Sequence, residues 1–128
     1  MKQILIILFL AVCSACSVSV SSPSESVQYK QISQQEAVKM MQEMETVIVD
    51  VRTPEEYAEG HIPLAVNLPL SDVVSRSETV LPDKDACLLV YCRSGNRSKQ
   101  ASEKLAELGY SRVFEFGGIN TWTGDIEK

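Results

Sequence analysis

One loop, which follows a strand pattern and precedes a helix pattern, limits the folds open to this chain more than any other segment. The loop covers residues 91–98 and reads Tyr-Cys-Arg-Ser-Gly-Asn-Arg-Ser, and the apolar run at residues 86–90 before it is typical of a buried strand. After the loop, apolar residues recur on one helical face as far as Gly109: Ala101, Leu105 and Leu108. The pattern predicts a strand–loop–helix unit with Cys92 just before the N-terminus of the helix.

This placement favours ionisation of the Cys92 thiol. A helix N-terminus carries partial positive charge, and its free backbone N–H groups can donate hydrogen bonds to a sulfur atom. Arg93 and Arg97 add two full positive charges on the same loop, although the chain as a whole is acidic, with a formal net charge of −5. We predict that Cys92 is a reactive thiolate and that the loop binds an anion.

The two cysteines near this loop have different predicted roles. Cys87 and Cys92 lie on one extended segment, about 16 Å apart at the usual rise per strand residue, which is too far for a disulfide. Cys87 is expected in the core of the strand, which leaves Cys92 as a lone thiol. The chain has a single histidine and no clustered Cys/His spacing, so we expect no zinc or other metal site.

Residues 1–16 have the layout of an export signal peptide. Lys2 precedes an apolar run at residues 4–12, which is shorter than the roughly 20 residues that a membrane-spanning helix needs. Ser14-Ala15-Cys16 resembles the end of a bacterial lipobox, which implies lipidation of Cys16 and a lipoprotein on the extracytoplasmic face of the membrane. The alternatives are a secreted or periplasmic protein after signal cleavage, and an uncleaved anchor.

The rest of the chain divides into a short linker and one domain. Residues 17–27 are serine-rich and lack hydrophobic periodicity, so we interpret them as a flexible tether. Residues 28–128 have the length of one small domain. Its acidic balance disfavours nucleic acid as a partner, and we expect a monomer or weak dimer that contacts the membrane through the N-terminal lipid anchor.

Strand and helix patterns alternate along residues 28–128. Two capping boxes and a later serine open the predicted helices: Ser33 with Glu36, Thr53 with Glu56, and Ser71. The alternation predicts an α/β fold in which helices cover both faces of a central, mostly parallel sheet of about five strands. Ligands bind at the carboxyl ends of the strands in such sheets, so Asp50, Arg52 and Cys92 can share one cleft.

Three stretches resemble the signature stretches of the rhodanese domain, in the same order along the chain: residues 50–63, 91–98 and 116–122. The resemblance covers essentially all of residues 28–127 and implies the rhodanese-like three-layer fold. It also implies a sulfurtransferase in which Cys92 becomes a persulfide. Sulfane sulfur would come from a small anionic donor, such as thiosulfate or a polysulfide, and pass to a thiol, cyanide or protein-thiol acceptor, with no metal or organic cofactor.

The candidate site consists of the loop and three supporting residues. The loop residues are expected to bind the donor and the added sulfur: Arg93, Ser94, Gly95, Asn96, Arg97 and Ser98. Asp50, Arg52 and Trp122 are expected to support the site, although a structural ion pair is the favoured interpretation of the first two, and a core position is an equal alternative for the third. His61 could pair with the cysteine, but a backbone-bonded residue is favoured because a cradled thiolate needs no base.

Loop length separates the remaining functional alternatives. Cys92 to Arg97 forms a Cys-x4-Arg loop, whereas phosphatases and arsenate reductases of the same fold carry Cys-x5-Arg. The shorter loop favours sulfur transfer over phosphoryl chemistry. A non-catalytic rhodanese-like binding module is the third alternative, which the complete loop disfavours. Two departures from the family pattern lie outside the loop: Leu64 replaces the usual glycine, and Thr123 a frequent proline.

Overall fold

The computed structural model describes residues 28–128, which form five strands and four α-helices. In chain order these are β1 (Lys30–Gln31), α1 (Gln34–Glu43), β2 (Val47–Asp50), α2 (Pro54–Glu59), β3 (Val66–Asn67), α3 (Val73–Val80), β4 (Cys87–Cys92), α4 (Asn96–Glu107) and β5 (Arg112–Gly118). The predicted export signal, Cys16 and the serine-rich tether lie outside these residues. Within them, no helix combines the length and the apolar character needed to cross a membrane.

All five strands form one parallel sheet in the order β1-β5-β4-β2-β3. β4 lies at the centre and every one of its residues is buried, which is why its sequence is apolar without alternation. Successive side chains point to opposite faces, so the residues of β4 divide between two hydrophobic clusters: Leu88, Val90 and Cys92 in one, Leu89 and Tyr91 in the other. The structure confirms the predicted α/β fold.

The two clusters attach the helices to opposite faces of the sheet. Val73 of α3 and Leu105 of α4 join the cluster that contains Cys92, whereas Ala37 of α1 and Tyr57 of α2 join the other. Because all strands run in the same direction, the carboxyl ends of β2, β4 and β5 meet at one edge of the sheet. This edge is the place at which a parallel α/β sheet forms its ligand site.

Local capping signals set the starts of the first two helices, but not of the third. Both predicted capping boxes are present: Ser33 with Glu36, and Thr53 with Glu56. The prediction that Ser71 caps the third helix is wrong, because Ser71 lies inside a 3₁₀ turn, Leu70–Asp72, and Asp72 occupies the N-cap of α3 without a side-chain capping bond. The 3₁₀ turn leads directly into α3, and the Asp72 N–H closes it by donating to Pro69 O over 2.8 Å.

Two edge features depend on contacts outside their own segments. The sequence patterns do not predict β1, whose exposed residues pair with Phe114 and Glu115 of β5. Leu64, which precedes β3, has a φ of 69° and is 86% exposed. This left-handed conformation favours glycine, which explains why the rhodanese domain, which the sequence resembles, usually has glycine at this position.

Candidate active site

Cys92 ends β4 with 1% of its surface exposed. The register of the pairing between β4 and β5 shifts between Val90 and Cys92, and irregularities such as β-bulges re-aim side chains near functional sites. The chain then turns through residues 93–95 into α4. Gly95 precedes this helix of 12 residues with a φ of 102°, which glycine adopts without strain. The strand, the loop and the helix together hold the sulfur at the N-terminus of α4.

The loop rests directly on the backbone of Gly118. A Cβ atom at Gly118 would lie 2.1 Å from Arg93 O and 2.7 Å from Ser94 Cα, closer than real Cβ contacts. The Asn120 N–H donates to the same Arg93 carbonyl over 3.1 Å. Gly118 therefore allows β5 and the active-site loop to approach each other, and its backbone pairs with that of Cys92.

Hydrogen-bond donors surround the sulfur of Cys92. The Gly95 N–H donates to Sγ over 3.0 Å, and Ser98 Oγ lies 3.4 Å from Sγ. Burial raises the pKa of the thiol, but hydrogen bonds from the Ser98 hydroxyl and from backbone groups of Ser98, Gly95 and Ser94 lower it by more. The net pKa of Cys92 lies below its ordinary value, as a nucleophilic thiolate requires.

The loop residues differ in exposure: Arg93, Ser94 and Asn96 are exposed, Gly95 and Ser98 are buried, and Arg97 is half-buried. Arg97 forms a bidentate ion pair with Glu56 of α2, with N–O distances of 2.7 and 2.9 Å, and this pair lowers the pKa of Glu56 to about 2. The Arg93 side chain has no hydrogen-bond or ion-pair partner among residues 28–128. Anion binding by either arginine stays a prediction. Arg93 is the better candidate, because Arg97 is already paired with Glu56.

Glu115 lies beside the loop, and no sequence motif identifies it as part of the site. Its side chain is buried, and its Oε1 accepts hydrogen bonds from Ser98 Oγ over 2.6 Å and from the Gly117 N–H over 2.8 Å. The signal that could reveal it is a carboxylate in the middle of an apolar strand pattern, because charged side chains are rarely buried without a partner.

Asp50 and Arg52 form a buried ion pair at the end of β2. Arg52 Nη2 lies 2.7 Å from Asp50 Oδ2 and also donates to Gly60 O over 2.7 Å. The Tyr91 hydroxyl donates to the same carboxylate over 2.7 Å and accepts the Ile62 N–H over 3.1 Å. None of these hydrogen bonds reaches Cys92 or residues 93–98, so the pair connects β2, the end of β4 and the segment after α2.

Trp122 and His61 make their contacts within the fold. Trp122 is half-buried and packs against Phe116, with 6.0 Å between the ring centroids. His61 stacks on Tyr57 at a centroid distance of 3.8 Å, and its ring nitrogens lie 2.9 Å from the Tyr57 carbonyl oxygen and 3.4 Å from Glu127 Oε1. Trp122 therefore has the contacts of a core residue, and His61 has those of a residue bonded to the backbone.

Cys92 has the surroundings of a nucleophile, and Cys87 does not. Cys87 begins β4 at the opposite end from Cys92 and is 2% exposed, and burial raises the pKa of its thiol. No three His, Cys, Asp or Glu side chains within residues 28–128 are placed to bind a metal ion. Cys92, with its lowered pKa and its N–H donors, can attack a small electrophilic atom and hold an anion that forms on the sulfur.

Sequence comparisons place the chain beside sulfur-transferring proteins. The family described as "Rhodanese-like domain" matches residues 33–125. The chain is 45% identical over 71 residues to the thiosulfate sulfurtransferase PspE of Escherichia coli K12, an alignment that covers 56% of this chain and 68% of the relative. It is 37% identical over 106 residues to the thiosulfate sulfurtransferase GlpE of Coxiella burnetii, covering 78% of this chain and 97% of the relative.

Solved structures share the same fold. An Escherichia coli rhodanese with anions superposes with a TM-score of 0.62 at 39% identity, covering 66% of this chain and 99% of that structure. The human single-domain sulfurtransferase TSTD1 superposes with a TM-score of 0.64 at 26% identity, covering 71% of this chain and 91% of that structure. These similarities agree with the five-stranded parallel sheet and its flanking helices.

Proposed function

The chain belongs to the rhodanese-like domain family and is a rhodanese-type sulfurtransferase, and we propose that its sulfur passes through a persulfide on Cys92. The donor is a small sulfane-sulfur anion such as thiosulfate or a polysulfide, and the acceptor is a thiol, a protein thiol or cyanide. The observation that carries the proposal is the buried Cys92 sulfur, which accepts the Gly95 N–H over 3.0 Å at the N-terminus of α4.

The reaction proceeds in two nucleophilic steps. In the first, the Cys92 thiolate forms a bond to the outer sulfur of thiosulfate while the S–S bond of thiosulfate breaks and sulfite leaves with the bonding electrons. In the second, an acceptor thiolate attacks the outer sulfur of the persulfide, and Cys92 leaves as a thiolate again. Turnover is therefore of the ping-pong type, with a covalent intermediate.

The loop provides positive groups that stabilise the negative charges present in both steps. The outer sulfur of a persulfide is an anion, and the backbone N–H groups of the loop together with the α4 dipole are suited to hold it. The exposed Arg93 attracts an anionic donor, and Arg97 contributes to the same field, although Glu56 offsets its charge. The length of the Cys-x4-Arg loop favours one added sulfur atom over a bulkier phosphoryl group.

The experiment that tests this mechanism measures intact mass. The purified full-length chain is incubated with thiosulfate or polysulfide, beside Cys92→Ser and the matched variant Cys87→Ala. Wild type and Cys87→Ala should gain the mass of one sulfur atom, which cyanide or a thiol should remove, and Cys92→Ser should gain none. Persulfide formation by Cys92→Ser, or its absence from wild type with every donor, would refute the mechanism.

The N-terminal residues support a location outside the cytoplasmic membrane. The apolar run at residues 4–12 and the lipobox-like Ser14-Ala15-Cys16 favour a lipoprotein anchored through Cys16, with residues 17–27 as the tether. Cells that express the full chain should incorporate a labelled fatty acid into wild type and not into Cys16→Ser. Equal labelling of both chains, or labelling of neither, would contradict the lipid anchor.

A further inference from the structure

Glu115 is a buried carboxylate directly behind the active-site loop. It is 3% exposed, and its Oε1 accepts hydrogen bonds from Ser98 Oγ and from the Gly117 N–H over 2.6 and 2.8 Å. Among residues 28–128, no arginine or lysine forms an ion pair with it. Burial of an unpaired carboxylate is costly, so Glu115 depends on these two hydrogen bonds.

The hydroxyl of Ser98 connects this carboxylate to the reactive sulfur. Ser98 is fully buried, and its Oγ lies 3.4 Å from Cys92 Sγ, 2.6 Å from Glu115 Oε1 and 3.0 Å from Gly95 O. A serine hydroxyl has one proton to donate. When Ser98 donates this proton to Glu115, its oxygen can only accept from a Cys92 thiol. When Ser98 donates it to a Cys92 thiolate, Glu115 keeps the contact only as a protonated donor.

We propose that Glu115 is a positioning residue that takes up the thiol proton of Cys92 through Ser98. The S–H bond of Cys92 breaks as its proton moves to Ser98 Oγ, and the original Ser98 proton moves to Glu115 Oε1. The product is a thiolate that accepts hydrogen bonds from Ser98 and Gly95, beside a neutral carboxylic acid that donates to Ser98. The site holds one negative charge before and after the transfer, and no other reactant is needed.

The charged groups around Glu115 do not provide an alternative proton acceptor in contact with the thiol. From α4, the exposed Lys99 lines the same surface cleft as Glu115, and from β1 the exposed Lys30 pairs with the neighbouring Phe114. From α1, the cleft is lined by the uncharged Gln34. Neither lysine forms an ion pair with Glu115, so neither takes part in the hydrogen-bond chain between Glu115 and Cys92.

The coupling between the Cys92 and Glu115 protons predicts two steps in the dependence of the Cys92 thiolate fraction on pH. Between the two steps the pair holds a single proton, so the thiolate fraction of Cys92 is nearly constant. Without the relay, that fraction falls about tenfold for each pH unit below the thiol pKa. The rate of alkylation of Cys92 by iodoacetamide, followed on the Cys92 peptide of the full-length chain, reports the thiolate fraction directly.

Glu115→Gln keeps the shape of the side chain but cannot take up a proton, and Glu103→Gln makes the same charge change on the exposed face of α4. Wild type and Glu103→Gln should show two steps, and Glu115→Gln should show one. A single step in wild type, or two steps in Glu115→Gln, would overturn the proposal. A purely structural role for Glu115 would change the stability of the variant but not the number of steps.

An infrared measurement on wild type keeps the test independent of whether the variant folds. At a pH between the two steps, the carbonyl stretch of a protonated carboxylic acid should be present and should vanish once Cys92 is alkylated; an unchanged spectrum would refute the relay. The relay serves the proposed sulfur transfer, but neither measurement uses a sulfur donor. Persulfide formation with a one-step profile would therefore reject the relay alone, and a two-step profile without persulfide formation would reject the proposed function alone.

Discussion

Replacement of Gly118 with alanine tests whether the active-site loop depends on its contact with β5. The new Cβ atom would start 2.1 Å from Arg93 O, whereas real Cβ atoms do not come closer than 3.0 Å to such an atom, so the carbonyl must move by at least about 0.9 Å. The φ of Gly118 is −135°, which alanine adopts freely, so the effect is steric. A shift of this size, passed to the Gly95 N–H, would weaken the 3.0 Å hydrogen bond to Cys92 Sγ.

The expected result is a loss of about 100-fold in kcat/KM for thiosulfate, because a displacement of about 1 Å at a catalytic group has that effect. The pKa of Cys92 should also rise, since its N–H donor moves away. Turnover with thiosulfate and the pH dependence of Cys92 alkylation measure the two effects. Gly109→Ala is the matched control, because its Cβ meets nothing within 4 Å while its φ of 98° adds only backbone strain.

Near-wild-type turnover of Gly118→Ala, together with an unchanged Cys92 pKa, would refute the reasoning. Thermal unfolding by circular dichroism separates a damaged site from a damaged fold. Gly118→Ala should retain a cooperative transition, with a loss of stability of about 1–3 kcal/mol from overpacking. Gly109→Ala should lose about 1–2 kcal/mol through its left-handed conformation and keep its turnover.

Three further predictions concern the charges and thiols around the loop. Cys92→Ser should lose all sulfur transfer with an unchanged Tm, whereas Cys87→Ala, at the far end of the same strand, should keep its turnover; residual transfer by the former contradicts the mechanism. Arg93→Ala should raise the KM for thiosulfate more than Arg97→Ala, and the reverse order would show that Glu56 does not offset Arg97. Because the pKa of Glu56 is lowered from 4.5 to about 2, its stabilising effect is complete above pH 4.5 and is lost as the pH falls towards 2. Urea unfolding of Glu56→Gln should therefore depend less on pH over this range than that of wild type.

The features that could be predicted from the sequence all depend on residues that lie close together in the chain. The capping boxes at Ser33 and Thr53 each join residues three positions apart, and the apolar run of β4 records burial of consecutive residues. The groups that form hydrogen bonds with Cys92 Sγ come from Gly95 and Ser98, three and six positions further along the chain. A strand, a loop and a helix start in this order place these groups near one another in the chain.

Tertiary structure alone decides which side chains complete the site. Arg97 meets Glu56 across 41 positions, and Ser98 meets Glu115 across 17. Both contacts exist because β2 and β5 flank β4 in the sheet. Hydrophobic periodicity indicates that a residue is buried but not which residue faces it, because the order of parallel strands results from the packing of the whole sheet. The sequence by itself therefore predicts Cys92 as the nucleophile and places its backbone donors next to it in the chain, and the fold decided which charges surround them.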